Sequence, residues 1–173
     1  QNNNNTKIHF GDLIYLQLDN KNLFYSPSLR SPVFVSSLKA NSSPFRSAIF
    51  QILPISLNPL ESTLFTSQSN LENPEVLYKE KLPVKEGQQF LLYHPETRTI
   101  LNVLGPQESE GDFCLEASKV FCDQSLFKFV DAKNTNMGYD IEYESAVFLK
   151  SDKHESYIVA GVSPISSKSL NPS

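Results

Sequence analysis

From residue 7 onward, large apolar side chains fall in short runs, many of them β-branched or aromatic. Pro, Asn, Ser and Gly interrupt them roughly every ten residues, the rhythm of strands joined by turns. Three segments align without gaps. The first runs Ile8-His9-Phe10-Gly11-Asp12-Leu13-Ile14-Tyr15-Leu16 and returns at Phe24-Tyr25. The second runs from Val84 to Leu92 and returns at Ile100-Leu101; the third runs from Ile141 to Leu149 and returns at Tyr157-Ile158. Counted from the first residue of each copy, large apolar side chains recur at offsets 0, +6, +8 and +16. These are Ile8, Ile14, Leu16 and Phe24, then Val84, Phe90, Leu92 and Ile100, then Ile141, Val147, Leu149 and Tyr157. The +6/+8 spacing places both side chains on one face of a strand. The polar stretches Asp19-Asn20-Lys21-Asn22, Pro95-Glu96-Thr97-Arg98 and Ser151-Asp152-Lys153-His154 let each strand double back.

A second signature follows the first two copies: Ala48-Ile49-Phe50-Gln51-Ile52 and Ser125-Leu126-Phe127-Lys128-Phe129. Between lie further candidate strands, Val33-Phe34-Val35 and Phe113-Cys114-Leu115, so each complete unit has about four strands. Three four-stranded units predict an all-β fold of the β-trefoil type, six strands closing a barrel and three hairpins capping one end. The expected organisation is a disordered polar lead at 1–6 and a single trefoil domain at 7–173, with units at about 7–54, 83–131 and 140–173. Residues 55–82 form an insertion, in which Pro59 to Phe65 and Asn73 to Lys79 are candidate helical turns. The second signature of the third unit would fall past Ser173, so that unit reads as incomplete: either the sequence is a piece of a longer protein, or another segment closes the barrel edge.

Charge narrows the partners. Fifteen Lys and Arg against nineteen Asp and Glu give a net charge of −4. No window holds the basic cluster that a phosphate backbone demands, which argues against nucleic acid. The longest apolar runs, such as Phe90-Leu91-Leu92-Tyr93, fall far short of the ~20 residues of a membrane span, so no membrane contact is expected of this segment. No basic stretch followed by an apolar one opens the chain, and the expected location is cytoplasmic. Cys114 and Cys122 are then expected to be reduced core thiols, and Asn4 and Asn41 in their sequons carry little meaning.

The chemistry of catalysis is missing from the motifs: there is no Gly-rich phosphate loop, no Gly-x-Ser-x-Gly, no His-Glu-x-x-His and no Cys-x-x-Cys. His9, His94 and His154 fall at different offsets in the three copies, so the repeat does not bring them together on a metal. Glu108, Glu110 and Asp112 around Gly111 read as a solvated turn. Lys150, Lys153 and His154, with Lys21 and Arg98 in the corresponding turns, are candidates for an anion pocket, although single cations on separate turns are ordinarily surface charge. A sugar-binding trefoil would need aromatic and carboxylate pairs repeated in the turns, and the aromatics are not repeated there. The expectation is a protein that is not an enzyme, with no cofactor, no metal and no assignable ligand site.

Laid out in this way, the chain resembles the N-terminal β-trefoil of the inositol trisphosphate and ryanodine receptor family, related to the MIR repeats. The resemblance covers most of residues 7 to 162. It rests on Ile8-His9-Phe10-Gly11-Asp12 as the opening strand, on Arg46 to Pro54 as the family's Arg-x-x-Leu-Phe-x-Leu-x-Pro strand, and on Val84 to Val103 as the second lobe. The third lobe departs, with Glu144-Ser145 in place of Gly-Asp, and the second has Glu86 where a Tyr is usual. The family's ligand-contacting basic residues lie mainly in domains without a counterpart here, so none carries over. The resemblance implies a regulatory, suppressor-like module on the cytosolic face of the endoplasmic reticulum membrane, in contact with other domains of its chain or with neighbouring subunits of a calcium-release channel. A similar His-x-Gly-Asp opening occurs in ciliary proteins inside axonemal doublet microtubules. That likeness implies the alternative, a structural axonemal scaffold in contact with tubulin or other axonemal proteins.

Overall fold

The computed structural model describes residues 6–18, 21–35, 46–55, 82–105, 113–131, 138–143, 147–155, 157–159 and 161–164. The lead at 1–5, the asparagines of both sequons, the bulk of the insertion with its two candidate helical turns, and the Glu108 to Asp112 loop lie outside them. The first unit contributes β1 (Leu13–Leu18), β2 (Lys21–Phe24), β3 (Val33–Val35) and β4 (Phe50–Leu53). The second contributes β5 (Leu91–His94), β6 (Thr99–Leu104), β7 (Cys114–Ser118) and β8 (Phe127–Asp131), the last preceded by a single 3-10 turn at Asp123–Ser125. The third contributes β9 (Val147–Ser151), β10 (Tyr157–Val159) and β11 (Gly161–Pro164). The fold is all-β and of the β-trefoil type.

The repeat is written most plainly where the three units begin. The Ile8 N–H donates to the Ile141 carbonyl (2.8 Å), Ile141 donates to Val84 (2.9 Å), and Val84 donates to Ile8 (2.8 Å), closing a ring around a pseudo-threefold axis. A second ring surrounds it: the N–H groups of Phe10, Glu86 and Tyr143 donate to the carbonyls of Leu82, Tyr139 and Thr6 at 2.8, 2.8 and 2.9 Å. Thr6, which the sequence assigns to the lead, is therefore part of this floor. The three residues at offset 0 point inward and are buried, while their neighbours Lys7, Lys85 and Asp140 face outward and form ion pairs of 3.0 and 2.9 Å.

The sequence reads each copy as one strand from offset 0 to +8, and the structure breaks it. After the floor residue the chain turns at Gly11 (φ 94°) and Gly87 (φ 83°), a region that L side chains rarely adopt. The glycine N–H groups donate to Ile52 (2.6 Å) and Phe129 (2.8 Å). The next side chain closes each turn, Asp12 accepting the His9 N–H and Gln88 accepting the Lys85 N–H, both at 2.9 Å. The Gly-Asp pair behind the family resemblance is thus a turn device that delivers the chain from the floor into the barrel wall.

Offset +16 also needs correcting. The residue facing Leu16 in the first hairpin is Leu23, because Leu18 pairs with Lys21 across a two-residue connection. In the second hairpin Tyr93 pairs with Ile100, which puts Leu101 beside Leu92. In the third, Leu149 pairs with Val159 across a bulge. The hairpins differ in length, so the inward residue drifts along the sequence. Leu23 and Leu101 join the main core, whereas Phe24 is only half-buried and Ile100 packs in a satellite cluster with Leu53, Leu91 and Tyr93.

The barrel wall runs β11-β1-β4-β5, then passes through an isolated bridge between Phe90 and Phe127 to β8 and β9. Its closing strand arrives early. Residues 25–49 and 105–126 separate the second and fourth strands of the first two units, but residue 160 alone separates β10 from β11. Gly161 to Pro164 lie antiparallel to β1, Ile14 opposite Pro164 and Gln17 opposite Gly161. Among the described residues the third lobe thus has three strands, and a segment outside the threefold pattern covers the open edge, satisfying groups that would otherwise invite foreign pairing. Inside, Ile8, Phe10, Ile14, Leu16, Phe50, Ile52, Val84, Phe90, Leu92, Phe127, Phe129 and Ile141 form one core, with the Phe90 and Phe129 rings in tilted contact, centroids 4.8 Å apart. Burying each such side chain contributes about 1.5–3 kcal/mol.

Candidate functional site

The polar side chains that sequence singles out are found at separate ends of the molecule. His9 sits at the floor, bridged to Pro83. His94 ends β5 and is 1% exposed. His154 lies in the β9–β10 turn with its ring edge-on to Phe113, centroids 5.3 Å apart. Among the described residues no three His, Cys, Asp or Glu side chains are grouped to hold a metal.

His94 makes the densest polar network. Its Nε2–H donates to the Ser47 carbonyl (2.8 Å), so Nδ1 is the acceptor and takes the Thr97 hydroxyl proton (2.7 Å). Thr97 in turn accepts from Thr99 (2.7 Å), and the Ser47 hydroxyl donates to Glu96 (2.5 Å). Tyr25 and Phe50 flank the ring, centroids 5.7 and 5.0 Å away. Burial lowers the His94 pKa below its ordinary value, outweighing the opposite pull of the Ser47 bond and the Glu96 charge. The imidazole is therefore neutral, with both nitrogens committed. Although Ser47, His94 and Glu96 share a neighbourhood, the Ser47 hydroxyl faces the carboxylate and not the imidazole. The group ties the start of β4 to the second hairpin. Nearby, burial pushes the Tyr93 phenol up to about 12 against the pull of Arg98.

Glu86 performs another tie. Offset +2 carries Phe10 in the first unit and Tyr143 in the third; here a carboxylate turns aside to accept the N–H groups of Asp131 and Gly138, both at 3.2 Å. One side chain thereby holds both ends of the 132–137 connection. Its polar residue in an apolar column was the signal available in the sequence. Tyr143 donates to Asp12 (2.6 Å), and burial followed by that neighbouring charge raises its pKa.

The candidate anion pocket dissolves into ion pairs. Lys150 pairs with Glu155 (2.6 Å), Lys128 with Asp152 (3.1 Å) and Glu155 (3.3 Å), and Lys153 with Asp123 (3.3 Å). Burial opposes the charge on Lys128, but its two carboxylates outweigh this and raise its pKa. Lys21 and Arg98 belong to the other hairpins and do not join them. Arg98 and Glu155 occupy equivalent left-handed positions, φ 57° and 56°, each closing its turn through N–H bonds to His94 and Ser151. The thiols are free, but they are not core residues: Cys114 is exposed and Cys122 half-buried. The reason lies in the hairpin register, where Cys114 pairs with Leu104 while Cys122 lies on the returning chain beside Asn102.

No protein-family model and no curated protein matches the sequence. Among solved structures the chain is similar to an SDF2-like protein from Arabidopsis thaliana, with a TM-score of 0.59 at 14% identity over 95% of this chain and 92% of that one. It is also similar to a Caenorhabditis elegans protein with unknown function, with a TM-score of 0.57 at 13% identity over 94% of this chain and 89% of that one. At such identity the likeness speaks for fold alone, and it is consistent with a MIR-like trefoil. No helix among the described residues is long and apolar enough to cross a membrane.

Proposed function

We propose that the chain is a non-catalytic protein interaction module that works as the regulatory trefoil at the cytosolic end of an intracellular calcium-release channel. The observation that carries the non-catalytic part is the commitment of its reactive side chains: His94, Glu86 and Asp12, and the cations Lys128, Lys150 and Lys153, each hold a turn, a loop or a strand end. The channel part rests on the sequence resemblance through Ile8 to Asp12, Arg46 to Pro54 and Val84 to Val103. In this reading the 55–82 insertion and the hairpin loops meet neighbouring domains or subunits. Excising the insertion should alter subunit contacts and channel gating; unchanged gating and contacts would refute the proposal. The His9-Phe10-Gly11-Asp12 opening supports a second reading, an axonemal scaffold. Retention of the protein on salt-washed axonemes is its test, and absence from them removes it.

A further inference from the structure

Each unit's opening strand has a neighbour in the barrel wall that fills the same slot, and the three occupants are unequal. β4 pairs Ile52 with Leu92 and Leu53 with Leu91, and β8 pairs Phe129 with Leu149 and Val130 with Phe148. Leu92 and Leu149 share offset +8 with Leu16, which pairs with Val162, so β11 lies in the register of β4 and β8. Position by position, Gly161 stands where they carry Gln51 and Lys128, Val162 where they carry Ile52 and Phe129, and Ser163 where they carry Leu53 and Val130. Ile52, Leu53, Phe129 and Val130 are all buried. The slot is the same, and its third occupant is the poorest.

Gly and Pro are weak strand formers, and Pro164 has no N–H to give. A Val and a Ser in place of Ile and Leu, or of Phe and Val, also forgo most of the apolar area that a strand can bury there. Among the described residues no strand follows β11, so its release leaves the other ten in place. What release uncovers is the edge of β1 from Ile14 to Gln17, a template for another strand. The two better-filled slots say which strand gains by taking it. A second copy gains nothing: its β11 brings the same residues, and its β4 and β8 are held in its own barrel. A foreign strand gains if it sets one large apolar residue opposite Leu16 and another opposite Tyr15, as β4 and β8 do at their own partners.

We propose that β11 is an exchangeable stave, and that the chain binds a partner protein by accepting from it, along β1, a strand of the β4 and β8 kind: Phe, a polar residue, Ile or Phe, then Leu or Val. Such exchange deepens the interaction-module reading, on which it rests, with a place and a partner chemistry. The probe is a capped peptide of the β8 segment, Ser125 to Asp131, titrated into the isotopically labelled chain, with the same peptide carrying Ser for both Phe as control. The expected result is saturable displacement of the amide resonances of residues 14–17, with those of 161–164 moving to random-coil positions. The control should bind at least about tenfold more weakly. Two variants act in opposite directions. Gly161→Gln, Val162→Ile and Ser163→Leu together give β11 the residues of β4, and should raise the melting temperature and weaken the probe at least about tenfold. Val162→Ser should lower the melting temperature and tighten the probe. No binding of the probe, resonance shifts centred on β9 or on the outer hairpin strands β3 and β7, or a triple variant that binds it unchanged would overturn the exchange. Intermolecular disulfides joining position 17 of a Gln17→Cys chain to position 161 of a Gly161→Cys chain would overturn it too, the occupant then being a second copy. A photo-crosslinking residue at position 17, compared with one at Val33 or Leu82 in expressing cells, separates the two levels. Crosslinks from 17 that the triple variant suppresses support the exchange. Crosslinks from 33 or 82 but not 17 overturn it and leave the interaction reading standing, and crosslinks from none overturn both.

Discussion

The floor of the barrel and the hairpin ends of its three units grow from the same repeat, yet only the floor keeps the symmetry. Ile8, Val84 and Ile141 exchange hydrogen bonds in a closed ring, all three buried and in one register. At the opposite ends of the strands each unit solves its turn differently: a two-residue connection after Leu18, a four-residue turn locked by His94, and a turn braced by Lys128, Lys150 and Glu155. Packing around an axis forces equivalence on whatever touches it, whereas a solvent-facing turn has only to reverse the chain. The individuality of this protein is therefore concentrated in its turns and connections.

The largest effect should come from the symmetric core. Phe90→Ala removes a fully buried ring packed against Phe129 and should cost about 3–5 kcal/mol in urea unfolding. His94→Ala attacks one turn and should cost about 2–3 kcal/mol near pH 7, from a cavity and the stranded Ser47 and Thr97 groups. It should also change the acid response. The folded pKa of His94 lies below the unfolded value, so the unfolded state binds the proton first as pH falls. The stability due to neutral His94 is then complete above the unfolded pKa of about 6.5 and declines below it, by up to ~1.4 kcal/mol per pH unit, until the lowered folded value is reached. Stability measured from pH 7 to 5 should fall less steeply in His94→Ala than in the native chain; parallel curves would show that the ring is not held neutral.

A smaller contrast tests the two Gly-turns against each other. Asp12 accepts from both the His9 N–H and the Tyr143 hydroxyl, whereas Gln88 accepts at its turn only the Lys85 N–H. Asp12→Ala should therefore cost about 1–3 kcal/mol and Gln88→Ala about 0.5–1.5, and equal losses would mean that the Tyr143 bond contributes nothing. The smallest effect belongs to Asp140, whose pKa is lowered by its hydrogen bonds to Lys85 and Lys7. A depressed carboxylate stabilises above its unfolded pKa, and that contribution vanishes as pH falls through the folded one. Asp140→Asn should cost about 0.5–1 kcal/mol at pH 7, shrinking in high salt.

The same division explains what could be read from the chain before folding. Offsets 0, +6 and +8 were legible because Ile8, Val84 and Ile141, Ile14 and Phe90, and Leu16, Leu92 and Leu149 face a common core. The Phe50 and Phe127 strands were legible for the same reason, whereas of Val33–Val35 only Phe34 packs against that core. Offset +16 misled because gapless spacing hides turn length, and only cross-strand pairing reveals that Leu23 and Leu101 are the inward residues. The closing strand at Gly161–Pro164 carried no repeat signal, since it fills the place of a missing equivalent rather than matching one. Of the polar residues, His94 was visible as a type but not as buried. Its burial depends on Ser47, Tyr25 and Phe50, which meet it only after the first and second units pack.

Native-state hydrogen exchange at the three floor amides tests the central claim most directly. If one threefold ring organises the fold and the shortened third unit belongs fully to it, the amides of Ile8, Val84 and Ile141 exchange only through global unfolding, with one common free energy of opening. Exchange at Ile141 that is faster than at the other two, through a local opening insensitive to Phe90→Ala, would show that the third unit is an attachment to a two-unit core and would contradict the account.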